Sequence, residues 1–167
     1  MEIQIKENDI QAAAAGGMDD FVMLFYHRIL QSAGGQLDAV SMQQLNSDQI
    51  TLLAYVILRD EVMTGGFIQL IHNGYGGFVF LNPFAKAIRL WGLNELTKLV
   101  YKGRKLYEDH GKAIEQECSD EEFMALYEQF PDFDDLDDEF VTQEEYFTET
   151  VAHYIDEHLD KFVQVVR

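Results

Sequence analysis

Cys118, His27, His72, His110 and the closely spaced His153, Glu157 and His158 are the residues whose chemistry could serve catalysis or metal binding. His153 and Glu157 stand one helical turn apart, which could place two ligands on one side of a transition metal, but the zinc-protease order H-E-x-x-H is missing. The run DFDDLDDEF (132–140) has the carboxylate density of a calcium loop without its spacing. Counted from Asp132, the fifth position is Leu136; counted from Asp135, the sixth is Phe140 where glycine is needed and the twelfth is Tyr146 where glutamate is needed. Cys118 sits among Glu117, Asp120 and Glu121, not beside the base or cation that activates a nucleophilic thiol. His72, in LIHNG, reads as a hydrogen-bonded residue at a helix end. No catalytic residue, cofactor or metal ligand is therefore assigned, and the chain reads as a binding protein, not an enzyme, with an enzyme of unrecognised type as the last alternative.

A second candidate is EVMTGGFIQLIHNGYGG (61–77), which holds five of the 12 glycines. Glycine amides at a helix N-terminus can cradle a phosphate. Here there is neither G-x-G-x-x-G nor G-x-x-x-x-G-K-[ST], and no Lys or Arg stands between Arg59 and Lys86 to neutralise a nucleotide. The stretch is better read as a joint: Gly65 and Gly66 let one helix end and FIQLIHN begin another at a sharp angle, and Asn73 with Gly74 supplies the next turn.

The elements that must position these residues are helical nearly throughout. DDFVMLFYHRIL spaces Phe21, Leu24, Phe25, Arg28 and Ile29 on one face, and NSDQITLLAYVILRDEVMTGG predicts a second helix capped by Asn46 or Ser47 and stopped at Gly65. NPFAKAIRLWGL predicts a helix with Asn82 as cap and Pro83 in its first turn, and Asn94 to Asp109 forms another with Leu96, Leu99, Val100, Leu106 and Tyr107 inward. Capping boxes at Ser119 with Glu122 and at Thr142 with Glu145 announce two more. The last carries Tyr146, Phe147, Thr150, Val151, Tyr154, Ile155, Leu159 and Phe162 as an inward stripe. GGFVFLN is the one serious strand candidate. The expected fold is all-α, a single compact domain over 1–167 of six to eight helices, with 1–17 a loose N-terminal segment and 111–167 a strongly acidic helical part. Its expected core is Phe21, Leu24, Leu52, Leu53, Val56, Phe67, Leu70, Trp91, Leu96, Leu99, Val151, Ile155 and Leu159.

With 167 residues and 47% hydrophobic content the chain can bury one real core, and its two prolines and lack of Ser/Gly-rich stretches signal no linker. A lone cysteine and an N-terminus without the basic-then-apolar order of a signal peptide predict a cytoplasmic protein. The longest apolar run, ITLLAYVIL (50–58), falls short of the ~20 residues a membrane span needs, so no membrane partner is expected.

Charge carries the strongest functional signal. The net charge is −18; residues 1–110 hold 12 acidic and 9 basic side chains, whereas 111–167 hold 18 acidic and 3 basic. Such a field repels nucleic acid and anionic lipid and draws in basic protein surfaces. Phe123, Tyr127, Phe130, Phe133, Phe140, Tyr146 and Phe147 interleave the acids, which argues for an ordered segment, since disordered acidic tails are poor in aromatics. Glu117, Glu121, Glu128, Asp132, Asp135, Asp138, Glu139, Glu145 and Glu149 are the expected partner-binding residues. The bland alternative is a solubilising face.

The pattern E-x-x-x-G-G-F-x-Q-x-x-x-N, from Glu61 through Gly65, Gly66, Phe67 and Gln69 to Asn73, resembles the signature of the bacterial DNA-mimic-protein-nineteen-like family, formerly a domain of unknown function. Thr64 stands where that signature usually has Asn. The resemblance implies an all-helical fold, a tendency to form a homodimer, and an acidic surface that occupies the DNA-binding face of a helix-turn-helix transcription factor. The motif itself is read as architectural, with Glu61, Gln69 and Asn73 as buried hydrogen-bonding groups. The partner is accordingly expected to be a basic protein, either a DNA-binding protein in transcription regulation or, alternatively, a nuclease toxin whose active site this chain would cover as an immunity protein.

Overall fold

Three of the helix starts, at Asp38, Asn46 and Ser119, follow the capping chemistry of the sequence. In the computed structural model, which describes residues 2–81 and 83–167, the Asn46 side chain accepts from the Gln49 N–H at 2.8 Å while the Gln49 side chain accepts from the Asn46 N–H at 2.9 Å. This reciprocal cap opens α4 (Ser47–His72). Before it come α1 (Glu7–Gly16), α2 (Met18–Ser32) and α3 (Ala39–Met42), the last capped by Asp38, whose carboxylate is held below its usual pKa by the Ser41 N–H. After it come a π turn (Gly77–Leu81), α5 (Phe84–Leu90), α6 (Asn94–Glu115), α7 (Asp120–Gln129), a 3-10 turn (Pro131–Phe133), α8 (Asp134–Glu157) and α9 (Leu159–Phe162).

The all-α expectation holds, with nine α-helices among the described residues in place of six to eight, because the turn-length α3 and α9 and the early α1 carry too little periodicity to read. The strand candidate GGFVFLN, too short and without an obvious partner for the all-α expectation to include it, is not a strand: most of it winds into the π turn, which buries Val79 and Phe80. Two expectations fail for identifiable reasons. Thr142 caps nothing, since α8 begins eight residues earlier, after Pro131, and runs straight through it. Residues 4–16 are not loose. They form β1 (Gln4–Lys6) and α1, and β1 pairs in parallel with β2 (Gln164–Val166), Ile5 opposite Val165, with Ile3 and Ile5 buried. Asn82, expected as a cap, lies outside the described residues; Pro83 takes the N-cap place of α5.

The chain forms two compact units. One is discontinuous, Met1–Val56 with Glu145–Arg167; the other is continuous, Ile57–Glu144. In the discontinuous unit Phe21, Val22, Phe25, Ile29, Leu52, Leu53, Val56, Phe147, Val151, Ile155 and Phe162 are buried, and Tyr55 satisfies its hydroxyl inside that core on Thr148 Oγ1 at 2.8 Å. Leu24 and Leu159, expected in the core, are half-buried, and Tyr146 is 57% exposed, so the predicted inward stripe of the last helix is narrower than its apolar content suggests. In the continuous unit the core is Leu58, Phe67, Ile68, Leu70, Ile71, Phe80, Ile88, Trp91, Leu96, Leu99, Phe133 and Phe140. Gly103 of α6 lets the Phe80 ring lie against its backbone, where a Cβ would stand 2.6 Å from ring carbon Cε1. Among the described residues no helix is long and apolar enough to cross a membrane.

Candidate functional site

The functional geometry of the continuous unit is built around the paired glycines. α4 is helical up to Thr64 and again from Phe67, but Gly65 (φ −149°, ψ 15°) and Gly66 (φ 74°, ψ −177°) break it. Only Gly66 needs the left-handed region. At Gly65 the requirement is space, because the Gln69 side chain lies where a Cβ would go. Glu61, before the break, spans it: its Oε2 accepts from Gln69 Nε2 at 2.8 Å and from Asn73 Nδ2 at 2.9 Å. One carboxylate thus braces both arms of the corner. Glu61 and Gln69 are half-buried and Asn73 is exposed, so this network is more solvated than the expected buried one.

The helix restarting at Phe67 presents free N–H groups and the positive end of its dipole, the setting in which an anion is stabilised. An anion is there, and it belongs to the chain: Asp137 Oδ1 accepts from the Phe67 N–H at 2.8 Å. Tyr127 donates its hydroxyl to the Gly65 carbonyl at 2.7 Å. α7 and α8 are therefore pinned to the corner by one polar clamp each, and Phe133, Leu136 and Phe140 are buried beside them, with Phe140 edge-on to Phe67 at 6.5 Å between centroids. Neither Tyr127 nor Asp137 was singled out for this role from sequence. The available signal was helical phase: Asp137 falls beside Leu136 and Phe140, at the margin of the buried face, whereas Asp135, Asp138 and Glu139 fall outside it.

Burial pushes the Asp137 pKa up to about 6, against the Phe67 N–H, which lowers it; Asp134 and Asp138 add to the rise. Burial also raises Tyr127, with the nearby Asp137 charge contributing. A raised carboxylate pKa means that the folded chain keeps a proton the unfolded chain has already lost. Its contribution to stability is then complete below the ordinary carboxyl range and disappears as pH rises through about 6. Asp137→Asn keeps an acceptor for Phe67 but cannot titrate. Relative to that variant, the parent should gain about 1 to 2 kcal/mol between pH 7 and pH 4, the full linkage value being trimmed because the group is partly solvated. Urea unfolding of both proteins across that range measures it; parallel stability curves would show that Asp137 does not carry the proton.

Clamped in this way, the acid-bearing helices turn their charge outward. All nine expected partner-binding residues are exposed. Glu117 lies in the segment after α6, Glu121 and Glu128 are on α7, Asp132 is in the 3-10 turn, and Asp135, Asp138, Glu139, Glu145 and Glu149 are on α8. At 100° per residue Asp135, Asp138 and Glu139, in the continuous unit, share one arc of about 100° with Thr142. Glu145 and Glu149 belong to the discontinuous unit, the other seven to the continuous one. Three have a Lys or His nitrogen in reach: Lys102 Nζ is 3.8 Å from Glu139, His110 Nε2 is 3.9 Å from Asp132 and His153 Nε2 is 3.7 Å from Glu149. The other six have no ion-pair partner among the described residues.

The remaining candidates are structural. His72 donates Nδ1–H to the Ile114 carbonyl at 2.8 Å and stacks against Phe123; His110 packs on Phe130. Among the described residues no three of His, Cys, Asp and Glu stand where they could share a metal ion.

The family model described as DMP19-like protein matches residues 43–158, a span that includes the corner, both clamps and all nine exposed carboxylates. The chain is also similar to a protein of Neisseria meningitidis serogroup B named DNA mimic protein DMP19, with 35% identity over 126 residues that cover 75% of this chain and 76% of that protein.

Proposed function

The chain belongs to the DMP19-like protein family, and from that membership we propose that it is itself a DNA mimic, a non-enzymatic regulator that occupies the nucleic-acid-binding surface of a basic protein. The observation that carries this reading is the exposed carboxylate array held in place by a buried scaffold. DNA presents one negative charge per ~1.7 Å of duplex axis on a stiff frame. A flexible acidic tail would have to lose conformational freedom to match it, whereas carboxylates on clamped helices lose only side-chain rotamers. A helix-turn-helix transcription factor, with its basic reading head, is the partner class we favour, and the site of action is the cytoplasm where such factors work.

The mechanism is electrostatic competition. Long-range attraction steers the basic surface onto the acidic helices, and carboxylates replace phosphates as hydrogen-bond acceptors for Lys and Arg. No bond is made or broken, so occupancy follows affinity and concentration alone.

The test is mutual exclusion. A partner captured from host lysate at about 0.05 M salt should be released by duplex DNA and by raising salt to about 0.5 M, because exposed charges are screened over roughly 10 Å at 0.1 M. Association should slow far more than dissociation speeds up. A partner whose complex binds DNA at full strength, or whose affinity ignores salt, would reduce the acidic face to a solubility device.

A further inference from the structure

Within the discontinuous unit, a shallow groove of about 270 Å³ runs between α8 and the junction of α1 and α2. Its floor is Phe21, Met18 and Ala152; Glu149 and Asp156 stand at its rim, with His153 between them. Ala14 and Gly17, at the α1–α2 junction, contribute almost no side chain and keep it open. We propose that this groove is a socket for one arginine or lysine side chain presented by a protein partner.

Size, floor and rim each favour that occupant. The volume lies below the ~300 to 1,000 Å³ of pockets that enclose a drug-sized ligand, but it suits one long side chain. Arg and Lys bury their methylene stems on apolar surface while keeping the charged head near water or a counter-charge. Met18, Ala152 and Phe21 supply that surface. Glu149 and Asp156 are seven residues apart on α8, so about 10 Å of axis separates the two carboxylates along the groove. Asp156 has no ion-pair partner among the described residues, and the one charge-bearing neighbour of Glu149 is His153, at 3.7 Å. An apolar trough with carboxylates at its edge, one of them without an ion-pair partner among the described residues, is complementary to a stem that ends in positive charge. An anionic or neutral side chain would leave those carboxylates uncompensated.

The inference rests on the reading of this chain as a binder of basic proteins, and it adds to that reading a discrete position at which one partner side chain is recognised. Because the socket is local, it can be probed without the partner. The probe is acetyl-Gly-Arg-Gly-amide, titrated into the isotope-labelled full chain and followed by amide chemical shifts, with the citrulline peptide as its uncharged isostere. Saturable shifts are expected at Gly17, Phe21, Ala152 and His153, with binding at least tenfold weaker for citrulline and for the Glu149→Gln, Asp156→Asn double variant. Ala152→Leu fills the groove and leaves every charge in place; it should weaken binding by a similar factor. If Ala152→Leu disturbs the fold, the exposed double variant decides.

Shifts spread evenly over the acidic helices, or full-strength binding by the citrulline peptide or the double variant, would overturn the socket. Failure here together with retained DNA-sensitive capture of a partner would remove the socket and leave the mimic standing. Specific peptide binding with no DNA-sensitive partner would do the reverse.

Discussion

Gly66→Val should lose about 2 to 5 kcal/mol of stability, the sum of a strained backbone site and a lost helix cap. Gly66 holds φ at 74°, where a β-branched residue is a genuine outlier. Its missing Cβ leaves room for the Asp137 carboxyl group, which would otherwise stand 2.5 Å away at Oδ2 and 2.9 Å at Cγ. That group cannot simply swing aside, because moving it breaks the 2.8 Å bond to the Phe67 N–H and unseats α8 from the corner. Gly77→Ala is the control, since Gly77 has open space around its Cβ position and no positive φ, and it should be close to neutral. Urea midpoints by circular dichroism compare the two. A Gly66→Val protein as stable as the parent would mean that the corner does not depend on this backbone conformation; unchanged stability with lost phosphate binding would restore the anion-cradle reading.

Neutralising Asp135, Asp138 and Glu139 to Asn, Asn and Gln should weaken partner binding on the order of 10- to 100-fold at low salt and flatten its salt dependence. The three are neighbours on the exposed arc of α8, and none of them is in a clamp. Among the described residues the one ion pair lost is the exposed Lys102–Glu139 pair at 3.8 Å, worth at most about 1 kcal/mol. Removing Asp138 also takes one like charge away from Asp137. Stability should therefore change little while affinity falls, which separates a recognition surface from a packing surface. Titration calorimetry at two salt concentrations, paired with unfolding, measures both. If affinity is unmoved, the binding surface is elsewhere.

The division between what was legible and what was not follows the range of the forces involved. The break at Gly65 and Gly66, the Asn46 and Ser119 caps and the outward acids depend on residues within one or two turns of each other, and they could be read. Phe123, Phe130, Phe133, Phe140 and Phe147 mark an ordered acidic region because aromatic spacing is also a local signal. What could not be read depended on distant partners. Asp137 looks like one more acid in DFDDLDDEF until α8 is laid beside a helix start 70 residues away. Thr142 with Glu145 is a sound capping box on paper, but a helix already nucleated after Pro131 has no reason to stop and restart there. β1 is too short to show alternation, and its existence depends on β2.

That last dependence has a consequence for synthesis. Strand β1 meets β2 across 160 residues, Gln4 opposite Gln164, with the Gln164 N–H also bonded to the Ile3 carbonyl at 2.7 Å. Contacts of such sequence separation form late, after loop closure has been achieved by other means. On the ribosome, the continuous unit has all of its residues by position 144, while the first strand waits for the last. Ile3 and Ile5 are thus uncovered apolar residues on a nascent chain until β2 is made, and β1 is a segment on which a chaperone has a long time to act.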